Sequence, residues 1–393
     1  MKKCLLLIII CSMLTGCWDR HELNQLGIVG AFGLDLDPAT GNIKVFTEIL
    51  NPQILKKEGT PPNSSPTQLE ITTGVTLFEA FRNISKQFDR IAYFSHTRVI
   101  IISEDLAKEG LLPYIDFFAR SDQIRPLVRI IIAKNTSPLQ LLSTTSGMEN
   151  FQAYYLRSII NHDTQNSQSI NVTLLDFIKT MSGEGINPIA GVMQIIEQPS
   201  PPDKNDKTAP KAVIFSGTAV FHKDKLVGYM NEQETIGLNW LREKTTDGYI
   251  NIPFPPGEDT FIVAEIKQAS SRIKPQLENG EIHFLIEIQT EGDIIETSSS
   301  SNISKLEILR MVETALENEI KKDVSSTIDA AQNQFHTDIL GFGRALYRNY
   351  PKEWKTIKGD WETIFPAVKY EIQVTARLKR HGLVNKPLSL GNE

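Results

Sequence analysis

The fold class is decided by one stretch, Phe94-Ser95-His96-Thr97-Arg98-Val99-Ile100-Ile101-Ile102 (residues 94–102), which predicts a buried strand after Thr97. A second apolar run, Leu127 to Ala133, predicts another buried strand. Strands that are apolar at nearly every position are covered on both faces, as in sheets flanked by helices. The two runs therefore favour a layered fold of helices packed on a sheet.

The rest of the first half alternates strands with helices. Thr76-Leu77-Phe78-Glu79 has the capping-box pattern that opens a helix, and the segment from Ser103 to Gly110 predicts a short capped helix that ends at glycine. Residues 138–182 are predicted to be largely helical. Further strands are predicted at Gly27 to Leu36, Ile43 to Leu50 and Ile186 to Ile196.

The second half repeats this mixture of elements. A hairpin is predicted at Ala212 to Met230, and Asn231 to Glu234 cap a following helix. Residues 304 to about 336 form a long amphipathic helix with an apolar stripe from Leu309 to Phe335. Strands are predicted at Phe261 to Gln268, Glu281 to Gln289 and Pro366 to Arg380, the second with one face exposed to water.

A polar, proline-rich segment divides the chain. Residues 197–210 cannot bury a core and predict a linker, since they combine four prolines with charged and polar side chains. We therefore expect an N-terminal domain over 17–196 and a C-terminal region over 211–393. The predicted fold class is α+β (mixed α/β), in two to three domains, each a mixed or antiparallel sheet flanked by helices.

The first sixteen residues predict an export signal. Lys2 and Lys3 precede an apolar run that is too short to span a bilayer but has the length of a signal-peptide core. Leu14-Thr15-Gly16-Cys17 then matches a bacterial lipobox. We expect cleavage between Gly16 and Cys17, an S-diacylglycerol group on Cys17 and an acyl chain on its amine, because two or more chains hold a protein stably on a membrane. An ordinary secretory signal with a cysteine nearby is the alternative.

Charge and cysteine content exclude further classes of function. The formal charge of −6, without a lysine-rich or arginine-rich patch, argues against a nucleic-acid binder. The three cysteines (Cys4, Cys11 and Cys17) all lie in or directly after the leader. The mature chain would therefore have no internal disulfide, and no thiolate for zinc or catalysis once Cys17 is modified.

No motif for catalysis, a cofactor or a metal is recognisable. The seven histidines are scattered, and no His-Glu-x-x-His pair, nucleophile elbow or phosphate loop is present. We interpret His96 as a hydrogen-bonded structural residue rather than a catalyst. Trp354 and Trp361 could line a sugar site, but packing in a core or interface is the preferred interpretation. The absence of these motifs predicts no cofactor and argues against an enzyme.

Taken in order, these pieces resemble the Ger(x)C family of spore germination lipoproteins, the C subunits of germinant receptors. The resemblance covers nearly the whole mature chain. It rests on Gly16-Cys17-Trp18-Asp19, Ser95-His96-Thr97-Arg98-Val99, Leu106 to Gly110, Gly217 to Gly228, Asp338-Ile339-Leu340-Gly341-Phe342-Gly343, and Trp354 through Trp361.

The resemblance implies a fold of three mixed α/β domains, in which the C-terminal region would split near 260–265. It also implies a non-enzymatic subunit on the outer face of the spore inner membrane, with A and B receptor subunits as partners. Germinants in such systems are small nutrients. An alternative is a lipoprotein that itself binds the nutrient in a cleft between the two halves, like a solute-binding protein. An extracytoplasmic hydrolase is a third possibility.

Overall fold

The computed structural model describes residues 25–50, 67–144, 149, 151–162, 167–197, 211–242, 248–255, 260–278, 280–298 and 305–379. Within these residues the chain forms two sheets flanked by helices, which confirms the predicted mixed α/β class. The strands are β1 (Leu26–Leu36), β2 (Ile43–Leu50), β3 (Thr67–Gly74), β4 (Ile91–Tyr93), β5 (Val99–Ser103), β6 (Arg129–Ala133), β7 (Ile189–Glu197), β8 (Lys211–His222), β9 (Lys225–Met230), β10 (Tyr249–Pro253), β11 (Phe261–Glu278), β12 (Glu281–Thr297) and β13 (Lys369–Leu378).

The helices fall between the strands and after the second sheet's long hairpin. They are α1 (Leu77–Asn83), α2 (Glu104–Glu109), α3 (Leu112–Arg120), α4 (Pro138–Ser143), α5 (Gln152–Asn161), α6 (Leu174–Met181), α7 (Glu232–Leu241), α8 (Leu306–Asp329), α9 (Phe342–Asn349), α10 (Pro351–Ile357) and α11 (Trp361–Ile364). A π-helical turn, Ala330–Gln334, extends α8.

The first sheet is mixed and follows the order β3-β2-β1-β5-β6-β7-β8-β9, with β4 paired to the start of β1. Its central strands β1, β5, β6 and β7 run parallel, and the outer strands pair antiparallel. The predicted run in β5 is buried at every residue: Ile100 and Ile102 belong to one core cluster, and Val99 and Ile101 belong to the other. Both faces of this sheet are therefore covered, as its sequence predicts.

The second sheet has the order β10-β11-β12-β13, and its last pair is parallel. In β12, Phe284, Ile286 and Ile288 are buried, while the side chain of Glu287 lies on the other face and pairs with Lys274 at 2.7 Å. This confirms the predicted alternation between a buried and a wet face.

Helix α8 covers the open edge of β13. The carboxylates of Glu317 and Glu313 accept hydrogen bonds from the backbone N–H groups of Ala376 (3.0 Å) and Leu378 (2.9 Å). An edge strand otherwise presents unpaired backbone donors to other chains. Part of the polar side of the amphipathic helix thus satisfies the edge of the sheet.

Several predicted starts of helices are confirmed by their caps. The side chains of Thr76, Ser103 and Asn231 each accept a hydrogen bond from the backbone N–H three residues on. By contrast, residues 138–182 are less helical than predicted, since α4, α5 and α6 are short and separate. Strand β3, Thr67–Gly74, has no counterpart among the strands predicted from the sequence.

The first sheet does not end at the predicted linker. Strands β7 and β8 pair antiparallel, from Ile189 opposite Val220 to Glu197 opposite Lys211. The hairpin after residue 210 therefore completes the first sheet, and the second sheet begins only at β10. Residues 198–210 lie outside the described residues, and the division into domains stays a prediction.

Candidate functional site

The carboxylate of Asp338, just before α9, accepts five hydrogen bonds. Its Oδ1 accepts hydrogen bonds from the backbone N–H groups of Leu340 (3.1 Å), Gly341 (2.8 Å) and Phe342 (3.2 Å). Its Oδ2 accepts from the backbone N–H of Gly343 (2.7 Å) and from the indole Nε1 of Trp361 (3.0 Å). One side chain thus satisfies four backbone donors at the start of a helix, where such donors have no partner within the helix.

The protonation state of Asp338 follows from these contacts. Burial raises the pKa of this carboxyl, while the hydrogen bonds from Gly343, Trp361, Gly341 and Phe342 oppose that rise. All the groups bonded to its two oxygens are donors, and a protonated carboxyl would have to replace one of them with an acceptor. The geometry is therefore that of the ionised form.

Glycines are required where the first half of the chain (residues 25–197) meets the second half (residues 211–379). A Cβ atom on Gly185 would lie 2.3 Å from the carbonyl carbon of Gly343. A Cβ on Gly343 would lie 2.8 Å from the Cα of Gly185 and 2.7 Å from Nε1 of Trp361. Gly341 has a positive φ of 84°, which favours glycine for a different reason.

We call residues 184–187 and 338–344 the junction, because hydrogen bonds join the two segments directly. The backbone N–H of Asn187 donates to the carbonyl of Asp338 (2.7 Å), and that of Arg344 donates to the carbonyl of Gly185 (2.8 Å). The carboxylate of Glu184 accepts from the indole of Trp354 (2.8 Å) and lies 3.3 Å from Nζ of Lys358. The hydrogen bond from Trp354 is the main reason that the pKa of Glu184 is lowered.

The comparisons with known proteins follow the same two halves. Residues 19–195 match the model described as "Spore germination protein N-terminal domain", and residues 216–382 match "Spore germination B3/ GerAC like, C-terminal". The chain belongs to the GerAC-like family of spore germination proteins. The family resemblance found in the sequence is confirmed.

Curated relatives of this GerAC-like chain match over nearly their full length. Spore germination protein KC of Bacillus subtilis is 26% identical over 98% of both chains. Spore germination protein B3 of the same organism is 24% identical over 95% of this chain and 96% of its own. The crystal structure of the GerBC protein covers 92% of this chain and 99% of its own at a TM-score of 0.55 and 19% identity, which supports the shared fold.

The residues predicted to carry lipid, Gly16 and Cys17, lie outside the described residues. Trp354 and Trp361 are 4% and 5% exposed, and their rings lie 5.4 Å apart, which confirms packing rather than a sugar site. His96 is exposed and its ring lies 5.7 Å from that of Tyr93. Among the described residues no hydrogen bond to the His96 ring is found, and its interpretation as a hydrogen-bonded structural residue stays a prediction.

Neither a metal cluster nor a membrane-spanning helix occurs among the described residues. No group of three or more His, Cys, Asp or Glu side chains among them is placed to hold a metal ion. In the same ranges, no helix combines the length and apolar character needed to cross a bilayer.

Sequence reasoning identified the Asp338 motif but not its partner. The residues that it missed are Glu184, Gly185 and Asn187, which contact residues between 338 and 358 across more than 150 positions of sequence. A glutamate and a glycine in a loop carry no periodicity, so nothing in the pattern of one sequence indicates this contact.

The Asp338→Asn variant tests the role of the buried carboxylate. An asparagine amide would place N–H donors against the N–H groups of Gly343 and Trp361, which leaves buried donors unpaired. We expect a loss of about 2–4 kcal/mol in the free energy of unfolding, measured in guanidinium chloride.

The matched control is Asp360→Asn. Asp360 is exposed and its side chain makes no capping hydrogen bond, so a change within about 0.5 kcal/mol is expected. Equal stabilities of Asp338→Asn and the unsubstituted chain would show that the carboxylate does not hold the junction.

Proposed function

We propose that this chain is the lipid-anchored, non-enzymatic C subunit of a spore germinant receptor, needed for the germination response to small nutrients. Membership of the GerAC-like family carries the proposal. The N-terminal family match begins at residue 19, directly after the predicted lipid site at Cys17. In this arrangement the folded body follows the anchor closely, on the extracytoplasmic face of the spore inner membrane.

The partners proposed for the subunit are the A and B subunits of the receptor. A lipid anchor confines the protein to the membrane surface, where its partners are concentrated, so docking becomes nearly intramolecular. The chain would then contribute by docking rather than by chemistry.

Two buried carboxylates, those of Asp338 and Glu48, bind backbone donors at helix starts, and this supports a non-enzymatic role. Asp338 is saturated by donors, as described above. Glu48, which is 2% exposed, accepts hydrogen bonds from the backbone N–H groups of Gln152 (2.9 Å) and Ala153 (2.8 Å) at the start of α5. Burial raises the pKa of Glu48, but its oxygens face backbone donors. Both groups stabilise helix starts and are not free to transfer a proton to a substrate.

A second candidate function, direct binding of the nutrient, is favoured by one groove on the first half. Its volume is about 720 Å³, within the size range of small-ligand sites. Phe78, Phe81, Phe94 and Phe117 line it together with polar groups that include Arg90. Aromatic walls with a few polar groups are typical of sites for small organic ligands.

Calorimetry separates the two functions. If the chain acts by docking, titration of the purified protein with candidate amino acids and sugars gives no saturable heat. Saturable heat that disappears in a Phe81→Ala variant, and persists in a Leu127→Ala variant of an exposed leucine outside the groove, would instead establish nutrient binding.

The anchor is tested by Cys17→Ala, with Cys11→Ala as the matched control, because Cys11 lies within the predicted leader. We expect Cys17→Ala to deplete the protein from spore membranes and impair nutrient germination, while Cys11→Ala leaves both unchanged. Mass spectrometry of the native N-terminal peptide should show the diacylglycerol group on Cys17. A free thiol there, or normal membrane fractionation and germination of Cys17→Ala spores, would contradict the proposal.

A further inference from the structure

Three arginines converge on one open cavity beside the junction. The cavity has a volume of about 310 Å³ and is lined by Arg242 after α7 and by Arg344 and Arg348 on α9. Ile186 from the first half and Leu340 complete part of its wall. The cavity therefore lies where the two halves of the chain meet, next to Asp338.

The three guanidinium groups of this cavity have no hydrogen-bond or ion-pair partner among the described residues. Within the described chain none of the three donates a hydrogen bond or forms an ion pair, and Nη1 of Arg242 is buried with no partner atom. Buried polar groups are nearly always hydrogen-bonded, and a buried guanidinium without a partner is costly. Arg344 and Arg348 are four residues apart on one helix, a spacing at which like charges repel.

The pKa values of two of these arginines are lowered, as expected for guanidinium groups that are partly buried beside one another. Burial lowers the pKa of Arg242 to about 10, and the charge of Arg344 adds to the effect. Burial also lowers the pKa of Arg344, with a further contribution from Arg348. The charge of Asp176 raises the pKa of Arg242, and that of Asp338 raises the pKa of Arg344. Both carboxylates nevertheless accept their hydrogen bonds from other groups and not from these arginines.

The lining also defines which ligands fit. Among the described residues that line the cavity, none is acidic, so a ligand with an ammonium group would meet only positive charge. Arginine binds phosphate and carboxylate oxygens through paired N–H donors, and three of them match an anion with more than one negative charge. The small volume restricts the bound group to a few heavy atoms.

We propose that the cavity formed by Arg242, Arg344 and Arg348 binds a small, multiply charged oxyanion of the phosphate or dicarboxylate type. The bound anion supplies acceptors to the three guanidinium groups and couples α9 to the end of α7. The inference does not depend on the proposed receptor function, since it concerns the charge and shape of the cavity alone. It also differs from nutrient binding, because amino acids and neutral sugars do not fit this charge pattern.

The test is calorimetric titration of the full, lipid-bearing chain in non-ionic detergent, in a phosphate-free buffer of low ionic strength. The probes are inorganic phosphate, succinate and the short-chain lipid dihexanoyl phosphatidic acid. Saturable binding of phosphate or succinate identifies a free anion as the ligand. Binding confined to phosphatidic acid identifies the phosphate of a lipid headgroup.

Variants assign the binding to the cavity. Arg242→Gln is expected to weaken binding at least about tenfold, because it removes charge-assisted hydrogen bonds. Arg348→Gln provides a second variant at an exposed position that leaves the core untouched. Arg125→Gln removes an exposed arginine elsewhere on the surface and should bind with unchanged affinity.

Thermal unfolding gives an independent readout. Phosphate should raise the unfolding temperature of the unsubstituted chain and of Arg125→Gln, but not that of Arg242→Gln. Absence of binding by all three probes would overturn the proposal. So would unchanged binding by both Arg242→Gln and Arg348→Gln, or an equal loss in Arg125→Gln, which would indicate non-specific attraction to surface charge.

Discussion

The ionised carboxylate of Asp338 is the contact on which the arrangement of the two halves depends. Its oxygens hold the backbone from residue 340 to 343 in one conformation by accepting the N–H groups that would otherwise be unpaired. The same carboxylate orients the indole of Trp361. A buried charge is tolerated here because its donors replace the lost water, which agrees with the general cost of burying an uncompensated ion.

The conformation fixed by Asp338 is what allows the halves to approach closely. Backbone meets backbone at Gly185 and Gly343, without side chains between them. Around this contact, Glu184 receives hydrogen bonds from the other half, and helix α8 satisfies the free edge of the second sheet. The result is a body with a continuous core, in which one cluster of buried residues includes members of both sheets. Such a body suits the proposed role, in which the protein docks as a unit.

The sequence predicted the parts of the fold whose signals are local. The apolar run in β5, the caps at Thr76 and Asn231, and the stripe along α8 each depend on residues a few positions apart, so a single sequence suffices. The alternation of such strands and helices also predicted the fold class. Strand β3 was missed because its buried positions hold polar or small residues, Glu70, Thr72 and Gly74, while the apolar Ile71 is exposed. Its sequence therefore lacks the apolar alternation that predicts a half-buried strand.

The contacts between distant segments could not be predicted in this way. The pairing of β8 with β7 across a polar, proline-rich segment, the contact of Gly185 with Gly343, and the convergence of three arginines all depend on how separate elements pack. Local periodicity contains no information about these approaches. They become visible only when distances and burial are measured in the folded chain.

Native-state hydrogen exchange tests the central claim most directly, because it reports the opening of individual backbone N–H groups. If Asp338 holds the junction, the amides of residues 340–343 and of Asn187 should exchange only through global unfolding, with the same free energy as the core strand β5. Exchange of these amides through local opening, at a free energy well below that of β5, would contradict the account.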